Sequence, residues 1–142
     1  MIKILLAVDG SESASRAVDY VLQFAQNSRD PLEVHVLNVQ APVTFGDIKK
    51  FVSQEALKAF YHDEGTSVIQ PARQRLDKSS VAHNYHIGVG SVAETIVNYA
   101  KEHGCAQIVM GTRGLSAISS LLVGSVASKV LHLANIPVTC VR

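Results

Sequence analysis

Three glycines and a serine near the end of the sequence, Gly111, Gly114, Gly124 and Ser125, have the types and spacing best suited to a chemical task. Gly111 and Gly114 can take positive φ and let the main chain pass close to a ligand, so that successive N–H groups converge on an anion. Gly124 and Ser125 fall where a late helix should begin, and the free amides and positive dipole end of such a terminus attract phosphate. The Ser125 hydroxyl could add one donor. On spacing alone a plainer reading stands beside this one, in which the glycines only turn the chain and Ser125 only caps the helix.

Two charged residues belong to the same question. Asp9 ends an apolar run and precedes a helix, so it either reaches a ligand or caps that helix, a task Ser11 or Ser13 could share. Arg113 lies inside the glycine segment and can steer phosphates by charge or stand solvated. Beyond these and the hydroxyls of Ser116, Ser119 and Ser120, no group near the segment offers the base, cations or metal ligands that fast phosphoryl transfer needs. Gly88-x-Gly90-x-x-Ala93 imitates a dinucleotide fingerprint, but it follows the third strand and lacks the acidic residue about twenty positions on, so it reads as a turn. The phosphate-binding lysine loop of P-loop enzymes is absent. Cys105 and Cys140 form no Cys-x-x-Cys pair and the six histidines are scattered, so no metal site or disulfide is expected.

The elements that must position these residues alternate. Residues 2 to 8 are nearly all apolar, as in a strand covered on both faces of a parallel sheet. Ala14, Ala17, Val18, Val21, Leu22 and Ala25 then trace a helical stripe, and Leu32 to Val39 gives a second strand. From Asp47 to Ser79 the helical spacing is interrupted by Gly65 and Pro71, which predicts one long helix kinked or broken near Pro71. A third strand over 81–87 leads to a helix opened by a capping box at Ser91 and Glu94. A fourth strand at 107–110, a helix over 124–133 and a last strand over 136–141 complete the order. Such alternation predicts a single doubly wound α/β domain over 1–142, a parallel five-stranded sheet with helices on both faces. Ligands of such sheets sit at the carboxyl ends of the strands where the winding reverses, here the loops after the first and fourth strands.

With 142 residues, 47% hydrophobic and 18% charged, the chain suits one aliphatic core. A net charge of +1 with dispersed basic residues argues against nucleic-acid binding. Asp9 ends the opening apolar run too soon for a signal-peptide core or a membrane span, so a cytoplasmic protein without a membrane partner is expected. The apolar last strand, at the end of the sheet order, should pair with its copy through Ile136 to Val141 in a homodimer.

The spacing Gly111-x2-Gly114-x9-Gly124-Ser125 resembles the nucleotide-binding signature of the ATP-binding branch of the universal stress protein family. The opening run from Ile4 through Ser11 and the closing run from Gly124 to Val141 resemble that family's first and last elements. The resemblance implies a Rossmann-like fold of the adenine-nucleotide α-hydrolase kind, with strand order 3-2-1-4-5, and a homodimer. It also implies ATP, with or without Mg2+, as the ligand. Asp9, the main chain of Val39 and Ala7 would then meet the adenosine, and Met110, Gly111 and Gly114 would pass beside ribose and phosphates. Gly124, Ser125, Val126 and Ala127 would hold the phosphate tail, with Ala127 lacking a hydroxyl some relatives offer. The function so implied is a nucleotide-dependent stress-response module with slow or no hydrolysis. The rivals are a slow ATPase or nucleotidyl-transfer enzyme and a nucleotide-free adaptor.

Overall fold

The computed structural model describes residues 1–43, 53–113 and 123–142. Five strands and four helices alternate among them: β1 (Ile2–Ala7), α1 (Glu12–Asn27), β2 (Leu32–Gln40), α2 (Gln54–Asp77), β3 (Ala82–Val89), α3 (Val92–Glu102), β4 (Gln107–Gly111), α4 (Ser125–Leu133) and β5 (Val138–Val141). The sheet is parallel with strand order β3-β2-β1-β4-β5. Both the architecture and the order agree with the expectation. β1 is central, and the chain first winds outward through β2 and β3, then returns to β4 on the other side. The winding therefore reverses between β1 and β4.

The near-continuous apolar run of β1 has a direct cause. Ile4 and Leu6 enter a core with Ala17, Val18 and Val21 of α1 and Ile69, Ala72 and Leu76 of α2. Leu5 and Ala7 enter the opposite core with Ile96 and Ala100 of α3 and Ala127 and Val130 of α4. From Ile4 to Ala7 both faces are covered, so each of these positions is apolar, and each fully buried Leu or Ile adds about 1.5–3 kcal/mol.

Helix starts are set by small polar residues. Ser11 caps α1 by accepting from Ala14 N at 3.2 Å, and Ser53 caps α2 by accepting from Ala56 N at 3.1 Å. The capping box expected at Ser91 does not form: the Ser91 side chain makes no cap bond. Instead Thr95 Oγ1 donates to Ser91 O at 2.7 Å, while Glu94 meets Lys129 of α4 at 3.1 Å and so links the two helices of that face.

One long helix, kinked or broken near Pro71, was expected; a single helix forms and it is not broken, α2 running from Gln54 to Asp77 with Gly65 and Pro71 inside it. Pro71 lies on the exposed side, where a carbonyl it leaves unpaired can bond water. Gly65 is buried against β3, and a Cβ there would sit 2.6 Å from Ile87 Cγ2. The glycine brings the helix close to the strand. β3 is two residues longer at its carboxyl end than expected, and β5 begins at Val138, after Pro137. Cys105 is buried and Cys140 partly so, neither bonded to the other, and burial raises both thiols above the ordinary range.

Candidate functional site

A cleft of about 740 Å³ opens where the winding reverses. Its size is that of a small-molecule site, usually roughly 300–1,000 Å³. Ala7 and Asp9 line it from the end of β1, Val39 from β2, and Met110, Gly111 and Arg113 from β4. Gly124, Ser125, Val126 and Ala127 line it from the start of α4. Thus every residue the family resemblance assigns to the ligand, and Arg113 with them, borders one space, except Gly114, which lies outside the described residues together with Ser116, Ser119 and Ser120.

The start of α4 supplies directed amides. Gly124 is the N-cap with extended backbone and no side-chain cap bond, and the first intrahelical bond runs from Ser128 N to Gly124 O at 2.9 Å. The N–H groups of Ser125, Val126 and Ala127 precede that bond and have no acceptor within the helix. Ser125 is therefore the first helical residue and not the cap. Gly124 N itself donates to Thr112 O, which fixes the helix start to the end of β4.

Val39 offers its main chain. Leu37 O accepts from Val8 N, whereas Gln40 O accepts from Gly90 N, so successive residues of β2 face alternate neighbours. Val39 faces the same side as Leu37, toward β1, but the β1 register has already ended at Ala7 opposite Leu37. Its amide and carbonyl are thus turned to the cleft side beyond the last rung.

Asp9 does not cap α1, since Ser11 does. One carboxylate oxygen of Asp9, Oδ1, accepts from Ser11 N at 2.9 Å and bends the chain through Gly10, whose φ of +85° requires glycine. Of the two freedoms a glycine offers at 111, positive φ and close approach, the structure does not use the first: Gly111 is not among the positive-φ residues. A Cβ at Gly111 would collide with Ser13 Oγ and come within 2.7 Å of Ala14 N. The close approach this glycine permits is to α1.

Several cleft residues were not anticipated. Asn38, buried in an otherwise apolar strand, donates through Nδ2 to Val8 O at 2.8 Å and accepts from Gln40 Nε2. It thereby holds the ends of β1 and β2 together. Its polarity within the run Val36-Leu37-Asn38-Val39 was the available signal. Glu64 and Val68 of α2 and Val92 and Ile96 of α3 form the flanks. The Thr112 hydroxyl is buried without a hydrogen-bond partner among the described residues.

Away from the cleft a buried imidazole is satisfied by its neighbours. Buried His35 joins Tyr99 Oη at 3.1 Å and Glu33 Oε1 at 2.7 Å. Among the described residues no three His, Cys, Asp or Glu side chains could jointly hold a metal ion, and no helix is long and apolar enough to cross a membrane.

Comparison with known proteins decides the family. The model of the universal stress protein family matches residues 1–142. The chain belongs to the universal stress protein family. It is 29% identical to the universal stress protein YxiE of Bacillus subtilis over 99% of this chain and 98% of that protein. The solved structure of MJ0577, a universal stress protein of Methanocaldococcus jannaschii, superposes with a TM-score of 0.85 at 28% identity, covering 99% of this chain and 94% of the other. A universal stress protein solved in complex with cAMP superposes with a TM-score of 0.70 at 25% identity, over 99% and 97% of the two chains. The universal stress protein fold thus accounts for all nine elements described above.

Proposed function

We propose that this universal stress protein binds an adenine nucleotide, ATP foremost, in the cleft at the reversal point, and acts as a nucleotide-dependent module of a stress response. The observation that carries the reading is the start of α4: three amides without helical acceptors, at a glycine cap, opening on a cleft large enough for a nucleotide. The cAMP complex of a relative supports the choice of adenine nucleotides. In this reading Ala7, Asp9 and the Val39 main chain meet the adenosine, and Met110, Gly111, Arg113 and Gly114 border ribose and phosphates. Gly124, Ser125, Val126 and Ala127 take the phosphate tail. Any Mg2+ arrives with ATP, held mainly by phosphate oxygens.

The described residues bordering the cleft include two carboxylates, Asp9 and Glu64, and one cation, Arg113. That is a sparse set for phosphoryl transfer, so turnover should be slow or nil. β5 is an edge strand, pairing within the sheet only with β4, and we assign it the contact of a cytoplasmic homodimer through Ile136 to Val141. Calorimetric titration with ATP, ADP, AMP, cAMP and GTP tests the ligand. Saturable binding of ATP with GTP at least tenfold weaker is expected, and heat changes indistinguishable from buffer for all five would end the proposal. Phosphate release well above one per minute with ATP and Mg2+ would instead make the protein an enzyme. A monomeric mass at micromolar concentration would remove the dimer.

A further inference from the structure

The loops after β1 and β4 are separate in sequence, yet a continuous run of hydrogen bonds joins them. Asp9 Oδ1 accepts from Ser11 N at 2.9 Å. Ser11 Oγ lies 3.4 Å from Ser13 Oγ, and Ser13 Oγ donates to Arg113 O at 2.8 Å. Because the Ser13 proton is engaged there, the Ser11 hydroxyl must be the donor between the two serines. Ser13 Oγ also accepts from Arg113 N at 3.4 Å, so its one proton and both lone pairs are occupied. Ser13 is only 4% exposed, and Gly111 lacks the side chain that would displace it.

Arg113 does not hang free at the far end. Its neighbour Thr112 donates from its main chain to Val141 O at 2.8 Å, and Thr112 O receives Gly124 N at the start of α4. Fixing the main chain of residue 113 therefore fixes the terminus whose amides are turned to the cleft. Ser13 touches no part of the cleft space itself.

From this geometry we infer that Ser13 is a positioning residue that couples the Asp9 side of the cleft to the Arg113–Gly124 side, so that occupation of the nucleoside half orders the phosphate half. The inference rests on the nucleotide reading. It predicts an asymmetry: removing the Ser13 hydroxyl frees the main chain at residue 113 but leaves Asp9 held by Ser11 N. Phosphate recognition suffers and nucleoside recognition does not.

The test is calorimetric titration of the full chain with ATP and with adenosine, for the unchanged protein, Ser13→Ala and the control Ser15→Ala, whose side chain is on the exposed side of α1. For Ser13→Ala the ATP affinity should fall about tenfold, the scale of losing one buried hydrogen bond, with adenosine changed less than twofold. Ser15→Ala should match the unchanged protein for both ligands. Equal loss for ATP and adenosine, or no loss for either, overturns the coupling. If Ser13→Ala does not fold, the unchanged protein still decides: saturating adenosine, which carries no phosphate, should slow amide exchange at Arg113 severalfold, and an unaltered rate overturns the inference. Should the unchanged protein bind neither ligand, the nucleotide reading fails by itself. Amide exchange at Thr112 and Arg113, faster in Ser13→Ala than in the unchanged protein if Ser13 holds this main chain, then tests the positioning role alone.

Discussion

Gly111→Ala separates a glycine kept for packing from one kept for backbone freedom. Gly111 is the last residue of β4 and has no positive φ, so alanine meets no torsional obstacle there. What it meets is α1: the added Cβ collides with Ser13 Oγ and lies 2.7 Å from Ala14 N and 2.8 Å from Ser13 C. Two of those three atoms are backbone, so the helix must move as a body. Overpacking of this kind costs roughly 1–3 kcal/mol. Displacing the Ser13 hydroxyl from Arg113 O adds about 1 kcal/mol. The lower entropy of alanine in the unfolded chain returns about 0.4–1 kcal/mol. The net loss is then about 1–3.6 kcal/mol, and at roughly 3 °C per kcal/mol the melting temperature should fall about 3–11 °C. Differential scanning calorimetry without ligand is the assay. An unchanged melting temperature would refute the packing argument and return Gly111 to a role in ligand approach alone. Gly10→Ala is the natural counterpart: the nearest atom to its added Cβ is 3.9 Å away, but φ is +85°, so its cost of about 1–2 kcal/mol is torsional.

Gly65→Ala should destabilise by about 1–2 kcal/mol in urea titration, because its Cβ presses on Ile87 side-chain atoms at 2.6 and 2.8 Å, and Ile87→Ala in the same chain should relieve most of that pressure. Gly124→Asp should keep or slightly raise the melting temperature, since aspartate is a better N-cap by a few tenths of a kcal/mol, yet weaken ATP binding at least tenfold by placing a carboxylate at the helix start. Asp77 accepts from His83 Nε2 at 2.8 Å and Tyr85 Oη at 3.0 Å, bonds that hold its carboxyl below the ordinary value of 3.8. The stability it contributes is present above that ordinary value and lost as pH falls through the depressed one, so Asp77→Asn should flatten the acid limb of urea midpoints measured below pH 4. Burial, with the Asp77 bond, pushes Tyr85 up to about 12 from 10.0. Its stabilising effect is full below pH 10 and fades toward 12, and ultraviolet titration should show this late ionisation moving down in Asp77→Asn.

The order of elements could be read from the chain because each strand of the sheet interior is covered on both sides and each helix on one. That contrast prints continuous apolar runs such as Ile4-Leu5-Leu6-Ala7 beside stripes such as Ala14, Ala17, Val18 and Val21. The positions bordering the cleft were legible for a related reason, since they sit at the ends of those runs. What was not legible depends on contacts distant in sequence. Pro71 and Gly65 look like breakers locally, but whether they break α2 depends on solvent beside one and Ile87 beside the other. Ser91 and Glu94 have the spacing of a capping box, and Lys129 takes the glutamate instead. Gly111 looks like a turn residue until Ser13, nearly one hundred positions earlier, is placed against it.

These misreadings share a physical direction. Three short polar side chains near the cleft are engaged by protein: Ser11 with Ala14 N, Ser13 with Arg113, Asn38 with Val8 O. Their work is to hold the ends of β1, β2 and β4 and the start of α1 in register, and little of their hydrogen-bonding capacity remains for a guest. The groups left over are mostly main-chain ones, the amides at the start of α4 and the Val39 peptide beyond the last rung of β1, with the Thr112 hydroxyl beside them. Main-chain groups read shape and charge more than side-chain identity, which suits a ligand with a flat base at one end and an anion at the other. It also places the discriminating power of the cleft in how rigidly those peptides are held, and therefore in the buried serines and the asparagine that never need touch the ligand.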